Sequence, residues 1–448
     1  MKERKLRFQS LLLPTGWAAD VCLTIDAGGL ITGIETGSKA GESVSGIAVP
    51  GMANLHSHTH QRLMQGLAER AGLGPDSFWT WREVMYGFAL KLSPDDLAAV
   101  AAQAFMEMLC AGFTSVGEFQ YLHHQPDGQP YQNRAELSLR CVAAAEATGI
   151  GLTMLPVYYA HGGFGGQPPT EGQCRFINDV DGFLEIRREL AKTGCQLGIA
   201  PHSLRAVTFD GLNAVLAATP PGQPVHIHVA EQLKEVADCL QWANQRPVQY
   251  LLDHFRVDKN WCAIHATHLV AEEITRLAKS GAVVGLCPTT EANLGDGIFP
   301  ARAFLDAGGT FGIGTDSHIS ISVAEDLRML EYSQRLSHHT RNALADGPGE
   351  STGRSLFLRA LKGGAQALQQ NSGEIAIGRR ADIVVLDPDH YALLGRAGDQ
   401  ALDSWIFSGG NACVRDVYVG GNRLVENGRH IHHDAIIRNF KAAQRRLA

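Results

Sequence analysis

Eight short apolar runs separated by stretches of helical periodicity constrain this chain more than anything else in its sequence. The runs cover residues 52–58, 113–119, 151–159, 196–202, 225–231, 262–268, 282–288 and 310–316. Between them lie helical patterns at 93–111, 208–218, 236–254 and 271–279. The first is the clearest. Ser93 can cap it, Pro94 suits its first turn, Asp95 and Asp96 complement its positive end, and Gly112 stops it. Strands that alternate with helices pair in parallel, and eight of them close naturally into a (β/α)8 barrel of the TIM type.

The two chain ends have a different texture. In the first 47 residues, 21–25 and 30–34 are apolar segments flanking Asp26-Ala27-Gly28-Gly29, a hairpin signal. From Gly373 the alternation stops, and 381–386 and 414–425 read as strands, the latter a hairpin turning at Gly420-Gly421. The expectation is one small β-sandwich-like domain built from 1–49 and 372–448, with both ends on the same side of a catalytic barrel spanning 50–371. The Gly- and Pro-rich stretch 162–179 is a loop candidate near the active face.

Polar residues recur where these runs end. His56 and His58 stand one residue apart after an apolar run, and i and i+2 on a strand share a side. The fifth run delivers His228 and, three residues on, Glu231. The sixth delivers His265 and the eighth Asp316. The C-terminal ends of barrel strands are where such enzymes keep their chemistry. Imidazole nitrogen and carboxylate oxygen are good zinc donors, so His56, His58, His228 and Asp316 are the candidate ligands of one zinc ion per chain. Iron or manganese could use the same donors. A bound ion lowers the pKa of its water from 15.7 to about 7. Glu231 is placed to take that water's proton and pass it to a leaving nitrogen, and His265 to hydrogen-bond across the mouth.

Composition limits the alternatives. At 448 residues, 45% hydrophobic and 19% charged, the chain is an ordinary globular protein with ample core. Its net charge of −7, without basic runs, argues against a nucleic-acid partner. Nine scattered cysteines without a C-x-x-C pair suggest buried thiols in a reducing compartment. The apolar stretch near the start is too short and broken for a signal peptide, and no run approaches the length of a spanning helix. A cytoplasmic protein without a membrane role is expected.

H-x-H, then H-x-x-E, then His, then Asp resembles the amidohydrolase superfamily, specifically its single-metal deaminase branch, and the resemblance covers nearly the whole chain. More narrowly, HSHTHQR, YYAHGGFGG, PHSLRAV, HIHVAEQ and GLCPTTEANLGDGIFP resemble the formimidoylglutamate deiminases. That likeness implies hydrolysis of N-formimino-L-glutamate to N-formyl-L-glutamate and ammonia, a step of histidine degradation, with Glu231, His265 and Asp316 as the catalytic groups. It also implies that Gln61, Arg82, Tyr121, His202 and Arg205 contact the substrate. A small dicarboxylate needs cations, and arginine's fork matches a carboxylate. Two-metal relatives bridge their ions with a lysine at the fourth strand; here His202 stands there, which favours one metal. Dimers are common among such relatives, so a homodimer is expected. His60 departs from the aromatic residue expected of the family.

Two rivals stay in view: a deaminase of the same branch acting on a purine, pyrimidine or triazine ring, and a non-catalytic scaffold on the same barrel. A ring does not need two arginines, and a scaffold does not need a full ligand set. The G-x-S-x-G of 349–353 follows a polar turn and lacks the strand a nucleophile elbow requires. His123-His124, His338-His339 and His432-His433 are expected to face solvent. His161 is a candidate for the pocket wall, His226 for the core, and His318 for backing Asp316.

Overall fold

The computed structural model describes residues 3–71 and 76–447. The chain opens with β1 (Arg4–Leu13), β2 (Gly16–Ile25), β3 (Ile31–Glu35) and β4 (Glu42–Pro50). The barrel begins at β5 (Met52–Ser57), α1 (Phe78–Ala89), α2 (Pro94–Cys110), β6 (Phe113–Gln120), α3 (Glu136–Thr148) and β7 (Gly151–Tyr158). It continues through α4 (Val180–Ala191), β8 (Gln196–Leu197), β9 (Ala200–Pro201), α5 (Phe209–Ala217) and β10 (Val225–Val229). Next come α6 (Leu233–Ala243), α7 (Pro247–His254), β11 (Trp261–His265), α8 (Ala271–Ser280), β12 (Val283–Leu286) and α9 (Pro288–Leu294). After α10 (Ala301–Asp306), β13 (Thr310–Ile313), α11 (Val323–His338) and α12 (Thr352–Leu368), the chain leaves the barrel. It ends with β14 (Ile383–Leu386), α13 (Asp399–Ser404), β15 (Val414–Val419), β16 (Asn422–Glu426), β17 (Arg429–His430) and α14 (His433–Leu447).

All eight expected barrel strands are present, and their parallel pairing runs in two arcs, β5-β6-β7-β8 and β10-β11-β12-β13. The arcs meet at two seams. One is the Ser57–Asp316 bridge, where Asp316 N donates to His56 O (3.0 Å) and His58 N to Asp316 O (3.1 Å). The other joins Ile199 to Val225 and Ser203 to His228. Most strands stop short of their sequence-predicted ends, and after β10, β11 and β13 the backbone turns left-handed there. Positive φ occurs at Ala230, His265, Ala266 and Asp316. The fourth strand, predicted as one run, is split into β8 and β9. The helix predicted over 236–254 is two helices: Asn244 adopts φ +54° and Pro247 starts the second.

The predicted helix start at Ser93 is present as a capping box, with Ser93 Oγ accepting from Asp96 N (3.2 Å). Ser351 of the rejected elbow pattern is the N-cap of α12. His338 and His432 are exposed as expected, but His123 and His124 are buried. Their polar neighbours mislead, because His123 donates to Val157 O (2.9 Å) and His124 to Ile177 O (2.7 Å), which holds the loop after β6 inward.

The chain ends form one sheet in the order β17-β16-β15-β14-β4-β1-β2-β3. It curls on itself: Phe8 of β1 meets Tyr418 of β15 with ring centroids 6.1 Å apart, enclosing a separate apolar core. We propose that 1–49 and 372–448 constitute one composite domain against the barrel of 50–371. The tail also carries helices that its strand pattern hid. α14 packs on α2, burying Phe440 and Ala443, and Arg446 donates to Asp96 Oδ1 (2.8 Å).

Helix α12 crosses the barrel's seam strands through two glycines. A Cβ on Gly363 would lie 1.8 Å from Phe311 O, and one on Gly364 would lie 2.9 Å from the Ala53 Cβ. Gly87, in α1, has open space around it. Gly363→Ala is therefore expected to cost about 3 kcal/mol or more, whereas Gly87→Ala stabilises by about 0.5–1 kcal/mol. Urea unfolding midpoints of the two variants check the contrast.

Candidate active site at the barrel mouth

A broad, open cavity lies at the N-terminal end of the barrel beside Pro50, Lys259 and Gln369, and its lining includes no histidine, cysteine or aspartate. The chemistry gathers at the other end. There a smaller cleft is lined by His58, Gln61, Arg82, Tyr121, His202, Arg205, His228, Glu231, His265 and Asp316. His56 lies just beneath, its Nε2 3.0 Å from His228 Nε2. All the site residues expected from sequence are thus brought together. His161 is not among the lining residues.

The histidines are held in one orientation by backbone acceptors. His58 Nδ1 donates to Phe119 O (2.9 Å) and His228 Nδ1 to His202 O (2.9 Å). A carbonyl only accepts, so each ring keeps its Nε2 lone pair free and aimed inward. Asp316 Oδ1 lies 3.3 Å from His58 Nε2 and 3.5 Å from His56 Nε2. Burial, the largest cause, lowers the pKa of His56, His58 and His228, which keeps all three neutral. Three neutral imidazoles converging with one carboxylate fit a divalent cation, and His56, His58 and His228 offer donor atoms within 4.8 Å of one another.

Beneath this group, Glu118 of β6 pins the bend that carries His58. It accepts from Ser57 Oγ (2.5 Å), Thr59 N (3.0 Å) and Thr59 Oγ1 (2.8 Å), and burial pushes its carboxyl up to about 7. His318 does not touch Asp316 by hydrogen bond; it supports the seam through Ser57 Oγ (3.0 Å) and Thr315 Oγ1 (2.8 Å). His226 is a core residue as expected, donating to Ala367 O (2.9 Å).

His265 Nε2 lies between Glu231 Oε1 (3.8 Å) and Asp316 Oδ2 (3.7 Å). Burial alone would lower its pKa; Glu231, then the hydrogen bond that Nδ1 donates to Glu291, then Asp316 outweigh it and raise the group. Burial raises Glu231 in turn, with His265 and Arg205 acting against it. A carboxyl lifted towards neutrality suits proton transfer.

The far side of the cleft is cationic. The Arg82 guanidinium stacks over Trp79 at 4.5 Å, and Arg205 lies over the same ring at 5.9 Å. The Nε of each arginine is buried without a hydrogen-bond partner. Tyr121 receives Gln61 Nε2 (2.8 Å) and meets His60 Nε2 (3.0 Å), so His60 packs through a polar contact where an aromatic ring was expected. Phe176, from the predicted loop 162–179, completes the wall with Tyr86 and Tyr159. Sequence reading assigned no role to Trp79, Glu118 or Glu291. Glu291 lies inside the quoted stretch GLCPTTEANLGDGIFP, where a carboxylate three residues after Pro288 was the available signal.

A barrel with this ring of donors at its C-terminal mouth is the architecture of a metal-dependent hydrolase, and the comparisons with known proteins agree. The amidohydrolase family model matches residues 47–424, and the N-terminal domain of formimidoylglutamate deiminase HutF matches residues 9–43. The chain belongs to the amidohydrolase family. Within it, a formimidoylglutamate deiminase of Pseudomonas aeruginosa is 52% identical over 435 residues, 96% of each chain. The crystal structure of an amidohydrolase from Brucella melitensis is similar at TM-score 0.94 and 52% identity over 99% of both chains. An adenosine deaminase from Xanthomonas campestris, solved with bound zinc, shares the fold at TM-score 0.82 and 22% identity, over 99% of this chain and 98% of that one. Among the described residues no helix is long and apolar enough to cross a membrane.

Acid should destabilise the metal-free protein. Burial lowers eleven histidines: His56, His58, His60, His123, His124, His202, His226, His228, His268, His318 and His430. Below pH about 6.5 the unfolded chain binds more protons at each, so their contribution to stability is full above that pH and is lost as pH falls. Glu118, Glu231, Asp296, Asp326 and His265 are raised and act oppositely, but they are five against eleven. The unfolding temperature of chelator-treated protein is expected to fall steadily from pH 6.5 to 5, and a calorimetric pH series measures it.

Proposed function

We propose that this protein hydrolyses N-formimino-L-glutamate to N-formyl-L-glutamate and ammonia. The observation that carries the reading is the cleft's division of charge. Arg82 and Arg205, each with a buried Nε lacking a hydrogen-bond partner among the described residues, face one end, the His56, His58, His228 and Asp316 group with His265 forms the other, and Glu231 stands between them, 3.9 Å from an Nη of Arg205. An anionic substrate with a formimino group at its opposite end matches both. The amidohydrolase membership and the 52% identical relative support the same reading.

His56, His58, His228 and Asp316 would hold one zinc ion, iron or manganese being able to use the same donors. Such an ion supplies Lewis-acid chemistry that brings the deprotonation of water within reach of neutral pH. Arg82 and Arg205 bind the substrate carboxylates, with Gln61, Tyr121 and His202 fixing its orientation. Glu231 takes a proton from the attacking water as the new C–O bond forms at the formimino carbon. His265 and Asp316 stabilise the tetrahedral carbon. Glu231 then delivers its proton to the amino nitrogen, the C–N bond breaks as the added hydroxyl becomes the formyl C=O, and the hydroxyl's proton leaves with the ammonia as ammonium.

The reading carries with it a homodimer in the cytoplasm, free of nucleic-acid partners; nine unpaired cysteines suit a reducing compartment. Light scattering and metal analysis of the purified protein test the dimer and the stoichiometry.

Assaying ammonia release from N-formimino-L-glutamate, N-formimino-L-aspartate and guanine tests the substrate: release from the first is expected, and release from guanine alone would refute it. Glu231→Gln is expected to keep its metal and lower kcat by about 10²- to 10⁴-fold; near-normal turnover would remove Glu231 from its role. Arg82→Met and Arg205→Met should each raise KM for the formimino substrate about tenfold or more, the loss of a charge-assisted hydrogen bond being about 1.5–3 kcal/mol. Steady-state kinetics that leave both KM values unchanged would overturn the dicarboxylate reading.

A further inference from the structure

The backbone places His265 at the mouth, but the direction its imidazole faces depends on what its side chain meets. His265 and Ala266 are consecutive left-handed residues, at φ +66° and +48°, in a region that non-glycine residues occupy at a cost of about 1–3 kcal/mol each. The backbone beyond it stays tied to β10, Ala266 N donating to Val229 O (3.0 Å) and His268 N to Ala230 O (3.1 Å), but these bonds leave the rotation of the imidazole to its side-chain partners. The ring is nevertheless buried and makes one close side-chain hydrogen bond, from Nδ1 to Glu291 Oε1 at 3.2 Å.

Glu291 is unusually well held. Its Oε1 also accepts from Cys287 N (2.9 Å), and its carbonyl accepts from Asp296 N (3.0 Å). The helix that carries it, α9, is tied down on the side facing α11 and the seam. Thr289 Oγ1 donates to Asp326 Oδ1 (2.8 Å), and Thr290 Oγ1 donates to Thr315 O (3.1 Å), next to Asp316. A single short helix therefore connects the strand end that carries Asp316 to the ring of His265. A buried carboxylate is costly unless its partners are in place, and here those partners are a backbone N–H and the imidazole.

We propose that Glu291 is a positioning residue for His265, holding the ring by Nδ1 so that Nε2 faces the reacting formimino group. An acceptor on Nδ1 fixes the tautomer as well as the angle, as carboxylate partners of working imidazoles do elsewhere. The proposal rests on the deiminase reading for its substrate, but not for its geometry.

The test uses the full-length, metal-loaded protein and two variants. Glu291→Met keeps the volume and removes the acceptor; Glu291→Gln keeps an acceptor oxygen. By ¹⁵N-histidine NMR, the wild type should show an exchange-protected Nδ1–H signal that His265→Ala abolishes. Glu291→Met should lose that signal and Glu291→Gln retain it. In the ammonia assay, kcat should fall about 100-fold in Glu291→Met with KM changed less than about threefold and metal content unaltered, and Glu291→Gln should recover at least about tenfold of the loss. A wild type without the protected proton, a Glu291→Met variant that keeps it, or a Glu291→Met kcat within about threefold of wild type would each overturn the proposal. Equal impairment of both variants with loss of metal would overturn it too, as a purely structural role. If the wild type releases no ammonia from N-formimino-L-glutamate, the substrate reading fails, and the NMR result alone decides the role of Glu291.

Discussion

The seam between β5 and the end of the β13 run is where fold and chemistry become the same interaction. Asp316 donates its backbone N–H to His56 and accepts from His58 N, so the residues that close this side of the barrel are the ones whose side chains meet at its mouth. The barrel cannot shift register here without moving His56, His58 and Asp316 together. Thr315 N donates to Asn54 Oδ1 (3.0 Å) within the same seam, and Thr315 Oγ1 and Ser57 Oγ hold His318 from below. Rigid strand ends of this kind position side chains more precisely than loops do.

That geometry is expensive. Histidines forced into a buried cluster lose hydration, and their lowered pKa values record the cost. The backbone adds to it, since Ala230, His265, Ala266, Asp316 and His318, all at or near the mouth, have positive φ. Strain collected at one end of a fold persists because the surrounding packing over-determines it. Here the packing includes Glu118 beneath His58, α12 pressed through Gly363 onto Phe311, and the separate curled sheet that pairs β14 with β4.

Much of this was legible in the sequence, for a physical reason. Parallel strands buried on both faces read as apolar runs, and a polar residue ending such a run is conspicuous; hence His56, His58, His228, His265 and Asp316 could be picked out. What stayed hidden was whatever depends on partners distant in the chain. His123 and His124 sit among polar residues and look exposed, yet carbonyls of Val157 and Ile177 draw them inside. α14 is hydrophilic on average, and only the face it sets on α2 is apolar. Glu291 reads as one more helical glutamate until α9 is docked beside His265. The ends of β10, β11 and β13 were overestimated because the left-handed turns there fall on alanine, histidine and aspartate, which carry no glycine-like mark.

The division of labour within the cleft follows from where each part is attached. The proposed metal donors and Glu231 stand on or just beyond strands of a fold that a structure at 22% identity shares. Arg82 comes from α1, Arg205 from the turn after β9, and Phe176 from the loop after β7, all segments free to differ without disturbing the barrel. Each arginine has a buried Nε without a hydrogen-bond partner among the described residues and has Trp79 as shared support, while an Nη of Arg205 lies 3.9 Å from Glu231 Oε2. A cation held in that state gains most from a ligand that brings its own carboxylate, because pairing offsets a desolvation cost that folding has already incurred. Selection of a dicarboxylate over a neutral ring therefore does not need a tighter pocket, only arginines kept waiting.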